Sequence, residues 1–145
     1  MYDIWRMQAI NELSELPAKY AALQNIPSRI LELETSRVSI KSSLADSSGA
    51  RGGSSREDAL LNNLVTQHEL EEALKLTQSD IERTERALHA LTPENQKILD
   101  YFFMSPRKGA VSMLAEELGI EEKTVYNRRN AALRMFTMAM YGNLI

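Results

Sequence analysis

The polar side chains with the most specific chemistry in this chain lie between residues 107 and 130. If residues 121–140 form a helix that enters the major groove of DNA, its first turns and one face meet the base edges. Asparagine there can pair with adenine through two hydrogen bonds, lysine can donate to guanine, and glutamate can accept from cytosine. The residues that we predict to face the bases are Glu122, Lys123, Tyr126, Asn127 and Asn130.

A second polar group in the same region suits the DNA backbone rather than the bases. Phosphate contacts fix the position of a protein on the duplex without identifying its sequence. We predict such contacts for Arg107, Lys108, Thr124, Arg128 and Arg129. From Arg107 onward the chain has six basic and four acidic residues, so this segment is mildly positive. We therefore expect a homodimer or an RNA polymerase partner to supply further affinity.

Two helices joined by a tight turn are needed to hold such a face rigidly. Ala115 is small enough to lie where two steeply crossing helices touch, and Gly119 tolerates the positive φ that the turn requires. Apolar side chains then lock the two helices together, and they are Leu114, Leu118, Ile120 and Val125. This spacing is typical of a helix-turn-helix module.

Start and stop signals divide the C-terminal third into three short helices. Thr92 and Pro93 suit the N-cap and first position of the first helix. Ser112 is expected to cap the second helix, which ends at Gly119, and Gly142 stops the third. Residues 105–109 form the turn between the first two helices.

These residues resemble region 4 of bacterial sigma factors. The likeness lies in the Leu-Thr-Pro-Glu start at 91–94, the aromatic residues 101–103, the helix 114–120, and Thr-Val followed by basic residues at 124–129. The layout of the whole chain is similar to phage late-transcription regulators of the RinA and ArpU type. Glu121 and Glu122 depart from the pattern, since Ser or Asn usually caps the recognition helix. The resemblance implies a phage or prophage transcriptional regulator.

The first 90 residues predict two long helices on either side of a linker. We assign 1–45 to an N-terminal helical segment, 46–55 to a flexible Ser/Gly linker, 56–90 to a second long helix and 91–145 to the DNA-binding domain. Apolar residues recur three and four apart in both long segments, so each must pair with another helix. The two can form an antiparallel hairpin within one chain or a coiled coil between chains. We expect Pro27 to start a new helix after a break near residues 25–27.

Composition restricts the class of protein. The chain has 145 residues, a net charge of −3 and no cysteine. It lacks a signal peptide and an apolar run that could span a membrane, so we predict an all-α cytoplasmic protein. Two histidines without a metal-binding pattern, and no phosphate-binding glycine loop, favour a protein that is not an enzyme and needs no cofactor or metal.

The function that we predict is sequence-specific binding of double-stranded DNA at a promoter-proximal site. Two alternatives stay open: a sigma-like initiation factor, and a helical adaptor that docks on RNA polymerase without binding DNA itself. The recognition face can also be an ordinary solvated helix surface.

Overall fold

Helices make up nearly all of the chain that the structure describes. The computed structural model describes residues 2–46 and 53–144, with side chains described for 3–43 and 55–143. Its helices are α1 (Tyr2–Asp46), α2 (Gly53–His89), α3 (Pro93–Leu99), α4 (Ala110–Leu118) and α5 (Glu122–Tyr141). A π-helical turn, Asp100–Met104, follows α3, and a 3-10 turn, Gly142–Leu144, follows α5. The predicted all-α class is confirmed. None of these helices is long and apolar enough to cross a membrane.

Helix α1 continues through both of its prolines. The predicted break near residues 25–27 is therefore wrong, and Pro27 does not begin a new helix. A proline inside a helix costs about 3 kcal/mol because it removes one backbone hydrogen bond and clashes with the preceding turn. Leu13 and Leu16 are fully buried just before Pro17, and each such side chain contributes about 1.5–3 kcal/mol. Tertiary burial of this kind offsets the local cost of a proline.

The long helices extend into both ends of the predicted linker. Asp46 is the last residue of α1, and Gly53–Ser55 begin α2. Residues 47–52, the rest of the predicted linker, lie outside the described residues. The second long helix, predicted from 56 to 90, runs from Gly53 to His89.

The chain divides into two compact units. Unit 1 comprises Met1–Tyr20 and Asp80–Ile145, and unit 2 comprises Ala21–Ser79. This division differs from the predicted one, because the beginning of α1 and the end of α2 join the C-terminal region in unit 1. The physical reason is contact between the segments: Trp5 on α1 packs against Tyr141 on α5, and the Tyr20 hydroxyl on α1 donates to Glu85 on α2.

Unit 1 has an extensive apolar core. Its fully buried side chains come from α1, α2, α3, α4 and α5, and they include Leu13, Leu16, Ile98, Leu99, Leu114, Val125, Leu133 and Phe136. Trp5 of α1 contacts Tyr141 of α5, with ring centroids 4.9 Å apart. Lys19 of α1 lies 3.9 Å from the carboxylate of Asp80 on α2. The N-terminal part of α1 thus packs onto the same unit that carries α4 and α5.

Unit 2 is an antiparallel pair formed by the remainder of α1 and the beginning of α2. Near one end, the Arg56 guanidinium donates to the Ser43 carbonyl at 3.1 Å. Further along, the Asn63 side chain donates to the Leu33 carbonyl at 2.9 Å. The two helices therefore pair within the chain, as in the hairpin alternative. The predicted stripe of α1 is half-buried at the positions whose side chains are described, which are Leu23, Ile26, Ile30, Leu33, Arg37 and Ile40.

Candidate nucleic-acid interface

Helices α4 and α5 are joined by a tight turn, residues 119–121. Gly119 ends α4 with φ 65°, the left-handed conformation that the sequence predicts for it. The Ile120 amide donates to the Ala115 carbonyl at 3.0 Å, which satisfies one of the last carbonyls of α4. Leu114 and Val125 are completely buried beneath the turn, and Ala115 packs against the same cluster. The turn and both helices are thus fixed by one small apolar core.

The helix caps agree with the sequence at α3 and differ at α4. Thr92 caps α3 as predicted, since its hydroxyl accepts a hydrogen bond from the Asn95 amide at 3.2 Å. The predicted Ser112 cap is wrong: α4 begins at Ala110, and its N-cap is Gly109 with φ 75°. The turn before α4 ends in a left-handed residue, which glycine adopts without steric cost. Ser112 lies inside α4 and donates instead to Glu122 Oε1 at 2.9 Å.

Four of the predicted base-reading residues share one exposed face of α5. Lys123, Asn127 and Asn130 are spaced by four and three residues, which places them on the same side of a helix. All three are exposed, and Tyr126 beside them is 45% exposed. The face is therefore solvent-accessible over the first turns of α5, while Val125 anchors its reverse side.

The two arginines of α5 that were predicted to hold phosphates, Arg128 and Arg129, have partners within unit 1. Arg128 donates to the carboxylate of Glu94, at the start of α3, at 3.2 Å. Arg129 lies 5.1 Å from the ring centroids of both Phe102 and Tyr126, a cation–π arrangement that orients its guanidinium. It also donates to the Asn130 side chain. Arg129 is thus held in place by two rings and an amide, and the Arg128 guanidinium faces the Glu94 carboxylate.

Of the remaining predicted residues, Arg107 and Glu122 have partners within unit 1, while no such contact is described for Lys108 and Thr124. Arg107 donates to Asp100 at 3.0 Å and stacks 3.7 Å from the centroid of Tyr101. Glu122 accepts the Ser112 hydroxyl, so its carboxylate is committed to joining α4 to α5. Lys108 is exposed, and Thr124 is half-buried. A groove of about 440 Å³ lies between Arg107, Ser112, Glu122 and Tyr126.

The π-helical turn after α3 connects this surface to the rest of unit 1. Tyr101, which is buried, places its hydroxyl 3.0 and 3.1 Å from the two carboxylate oxygens of Glu117. The Lys97 ammonium lies 2.6 Å from the same carboxylate. The hydrogen bond from Lys97 holds the pKa of Glu117 below its usual value, and the same bond raises the pKa of Lys97. This contact ties α3 to α4 beside the candidate interface.

No protein-family model matches this chain, and it matches neither a curated protein nor a solved structure. The resemblance to sigma region 4 therefore rests on the motifs quoted above. Within the part of the chain that the structure describes, no group of three or more His, Asp or Glu side chains comes together to hold a metal ion.

Two contributions to this surface were not anticipated from the sequence. Phe102 is half-buried and packs against the small core of Leu114 and Val125, and its ring centroid also lies 6.4 Å from that of Tyr126 and 5.1 Å from the Arg129 guanidinium. The Ser112–Glu122 hydrogen bond was also missed, because Ser112 was expected to cap α4. Phe102 lies inside the π-helical turn, which has an extra residue per turn and so changes the direction of its side chain. A sequence pattern with 3.6 residues per turn cannot indicate this change of direction.

Proposed function

We propose that this protein is a sequence-specific DNA-binding transcriptional regulator that places α5 in the major groove. One observation carries the proposal: Lys123, Asn127 and Asn130 form an exposed polar face on a helix whose reverse side is locked to α4. Asparagine and lysine are the side chains suited to adenine and guanine edges. A rigid helix presents them without an added cost of ordering.

The basic residues around this face support a phosphate-binding role. Lys108, at the turn before α4, and Lys123 are exposed cations. Arg129 is oriented by the rings of Phe102 and Tyr126, which leaves its guanidinium beside the same face. We assign base contacts to Lys123, Tyr126, Asn127 and Asn130. Phosphate contacts fall to Lys108 and Arg129, with Arg107 and Arg128 contributing at the edges.

The test is binding to fragments of the neighbouring genome at physiological salt, followed by titration of the selected site. Lys123→Ala with Asn127→Ala should remove the preference for the selected fragment over unrelated DNA. Lys75→Ala with Asn62→Ala, two exposed residues of unit 2, makes the same chemical changes and should leave the preference unchanged. Site preference that survives in a folded Lys123/Asn127 variant would contradict the proposal.

Salt dependence separates phosphate contacts from base contacts. Each phosphate contact contributes about 0.9 to the slope of log affinity against log salt. Lys108→Ala should reduce this slope by about 0.9, the contribution of one phosphate contact. It should weaken binding to all DNA sequences equally. Asn127→Ala should keep the slope and lose the preference. A Lys108 variant that changes site preference would contradict its assigned role.

A second candidate is an adaptor that docks on RNA polymerase. It is favoured by Met135 and Met138, which are exposed further along α5, because flexible thioether side chains suit protein-binding surfaces. Binding to polymerase and site preference on DNA distinguish the two functions. The adaptor should bind purified polymerase, lose that binding on Met135→Glu with Met138→Glu, and show no site preference on DNA.

A further inference from the structure

We propose that one face of unit 2 binds the same face of a second copy of this chain, so that two hairpins form a four-helix bundle. The face consists of Leu31 and Val38 on α1 and Leu61, Leu64 and Val65 on α2, and we call it the Leu31 face. These five side chains are between 41% and 63% exposed. The proposal is independent of DNA binding and can hold or fail without it.

Unit 2 does not complete an apolar core by itself. Among its described side chains, the only buried ones are Asn63 and Gln67, and both are polar. The Gln67 amide donates to the Asn63 side-chain oxygen at 2.6 Å, while Asn63 donates to the Leu33 carbonyl. Buried amides of this kind fix the register of paired helices but contribute little hydrophobic stabilisation. A partner that covers exposed leucine and valine would supply what the hairpin lacks.

Leu31, Val38 and Leu64 lie on one flank of the hairpin, Leu61 and Val65 are exposed beside Leu64 on α2, and the exposed Leu76 lies outside this group. At 3.6 residues per turn, Leu31 and Val38 share a face of α1. Val38 and Leu64 line one groove between α1 and α2, which places the two helices' apolar residues on the same side. The opposite flank holds mostly small or polar side chains, with half-buried Ile40 and Arg56 among them; the small or polar ones include Ser36, Ser39, Ser43, Ser55, Ala59 and Asn62. A single face is therefore suited to burial.

Charge favours a second copy as the occupant. The α1 half of this flank has a basic excess, and the α2 half has an acidic excess. At the level of the Leu31 face, the residues concerned are Arg37 and Lys41 against Glu34 on α1, and Glu57 on α2. A two-fold axis parallel to the helices lays α1 of each copy over α2 of the other, so opposite charges meet twice. Such a self-complementary arrangement is the usual form of a homodimer interface.

The available area also suits a dimer. About 26 residues in each helix extend for roughly 40 Å, and two adjacent helices present a width of roughly 20 Å. The whole flank therefore covers on the order of 800 Å², with the Leu31 face at its centre, and a stable interface buries roughly 800 Å² on each partner. We expect a dissociation constant of about 1 µM or below, given an apolar centre with complementary charges.

The experiment measures the molar mass of the full chain in solution over a range of concentrations. The wild type should approach twice 16.4 kDa. Val38→Glu with Leu64→Glu should raise the dissociation constant by at least about 100-fold, because a buried unpaired charge is strongly unfavourable. Ser36→Glu with Asn62→Glu adds the same charge to the opposite flank and should leave the dimer intact. Circular dichroism verifies that every variant keeps its helix content.

A milder variant tests the charge argument without placing charge in the apolar centre. Lys41→Glu should raise the dissociation constant about 2- to 5-fold, as expected for an exposed ion pair, and added salt should diminish the difference. Arg29→Glu makes the same change outside the face and should have no such effect. A monomeric wild type would overturn the proposal. So would a dimer that survives Val38→Glu with Leu64→Glu, or one that both double variants disrupt alike.

Discussion

Units 1 and 2 share the same two long helices but are stabilised in different ways. In unit 1 the buried set is almost entirely apolar and draws side chains from five helices, with Phe136 and Leu133 completely buried. In unit 2 the buried side chains among the described residues are Asn63 and Gln67. A helix pair alone has too little interior to exclude water from its leucines, whereas five helices enclose a core. The difference indicates that unit 1 can hold α5 rigid, and that unit 2 is suited to a partner.

The largest expected effect is the difference in unfolding free energy between a Leu→Ala substitution in unit 1 and one in unit 2. Leu13→Ala in unit 1 should lower the free energy of unfolding by about 2–5 kcal/mol, because it removes a completely buried side chain and leaves a cavity. Leu76→Ala in unit 2, where the side chain is 67% exposed, should change it by about 0.5 kcal/mol or less. Chemical denaturation of both variants measures the difference. Equal losses would show that Leu13 is not part of the core of unit 1.

The buried amides of unit 2 give the next effect. Asn63→Leu should cost about 1–3 kcal/mol, because it leaves the Gln67 amide and the Leu33 carbonyl without their partner. Asn63→Leu combined with Gln67→Leu should recover most of that loss, since apolar groups then replace both amides. Asn62→Leu, next in the chain but exposed, is the control and should change stability little. A double variant less stable than Asn63→Leu alone would contradict this role for the pair.

The turn of unit 1 is tested at Gly119. Its φ of 65° is strained for any residue with a Cβ, but no atom lies within 4 Å of where that Cβ would be. Gly119→Ala should therefore cost about 1–2 kcal/mol from backbone conformation alone. Gly119→Asn should cost less, since asparagine visits the left-handed region more readily. If both variants were equally destabilised, a steric clash rather than backbone strain would be responsible.

The sequence predicts local features of unit 1 well where one residue determines the geometry. Thr92 at the start of α3, Gly119 after α4 and Gly142 after α5 are where start and stop signals place them. The prediction for Ser112 is wrong because a serine caps a helix only if its own backbone is extended, and Ser112 lies inside α4. Here the preceding turn ends in left-handed Gly109, three residues earlier.

Features that depend on tertiary packing could not be predicted from local patterns. The helix continues at Pro17 beside the buried Leu13 and Leu16, and at Pro27 beside the half-buried Ile26 and Ile30, and no local rule includes such contacts. The position of Phe102 beside Arg129 depends on the π-helical turn, and the grouping of residues 1–20 with the C-terminal region depends on which leucines meet in space. The exposed face of Lys123, Asn127 and Asn130 was predictable, because helical spacing and residue type together specify it.

The smallest effect is a difference in pH dependence between the polar contacts of the two units. In unit 1 the Tyr20 hydroxyl donates to the Glu85 carboxylate at 2.6 Å. Partial burial, together with that carboxylate, raises the pKa of Tyr20 to about 12. Since the folded pKa lies above the ordinary value of 10.0, the stabilisation is fully present below pH 10 and is lost as pH rises toward 12. The amides of Asn63 and Gln67 in unit 2 do not ionise, so their contribution should stay constant over the same range.

Tyr20→Phe separates this contact from the other tyrosines. The difference in tyrosinate absorbance between wild type and variant should show one group ionising near pH 12. The small stability advantage of the wild type over Tyr20→Phe should disappear over the same interval, while the effect of Asn63→Leu does not change. A difference spectrum centred near pH 10 would mean that Tyr20 does not hold its hydrogen bond to Glu85 in solution. The Tyr20–Glu85 contact would then not make the stability of unit 1 more dependent on pH than that of unit 2.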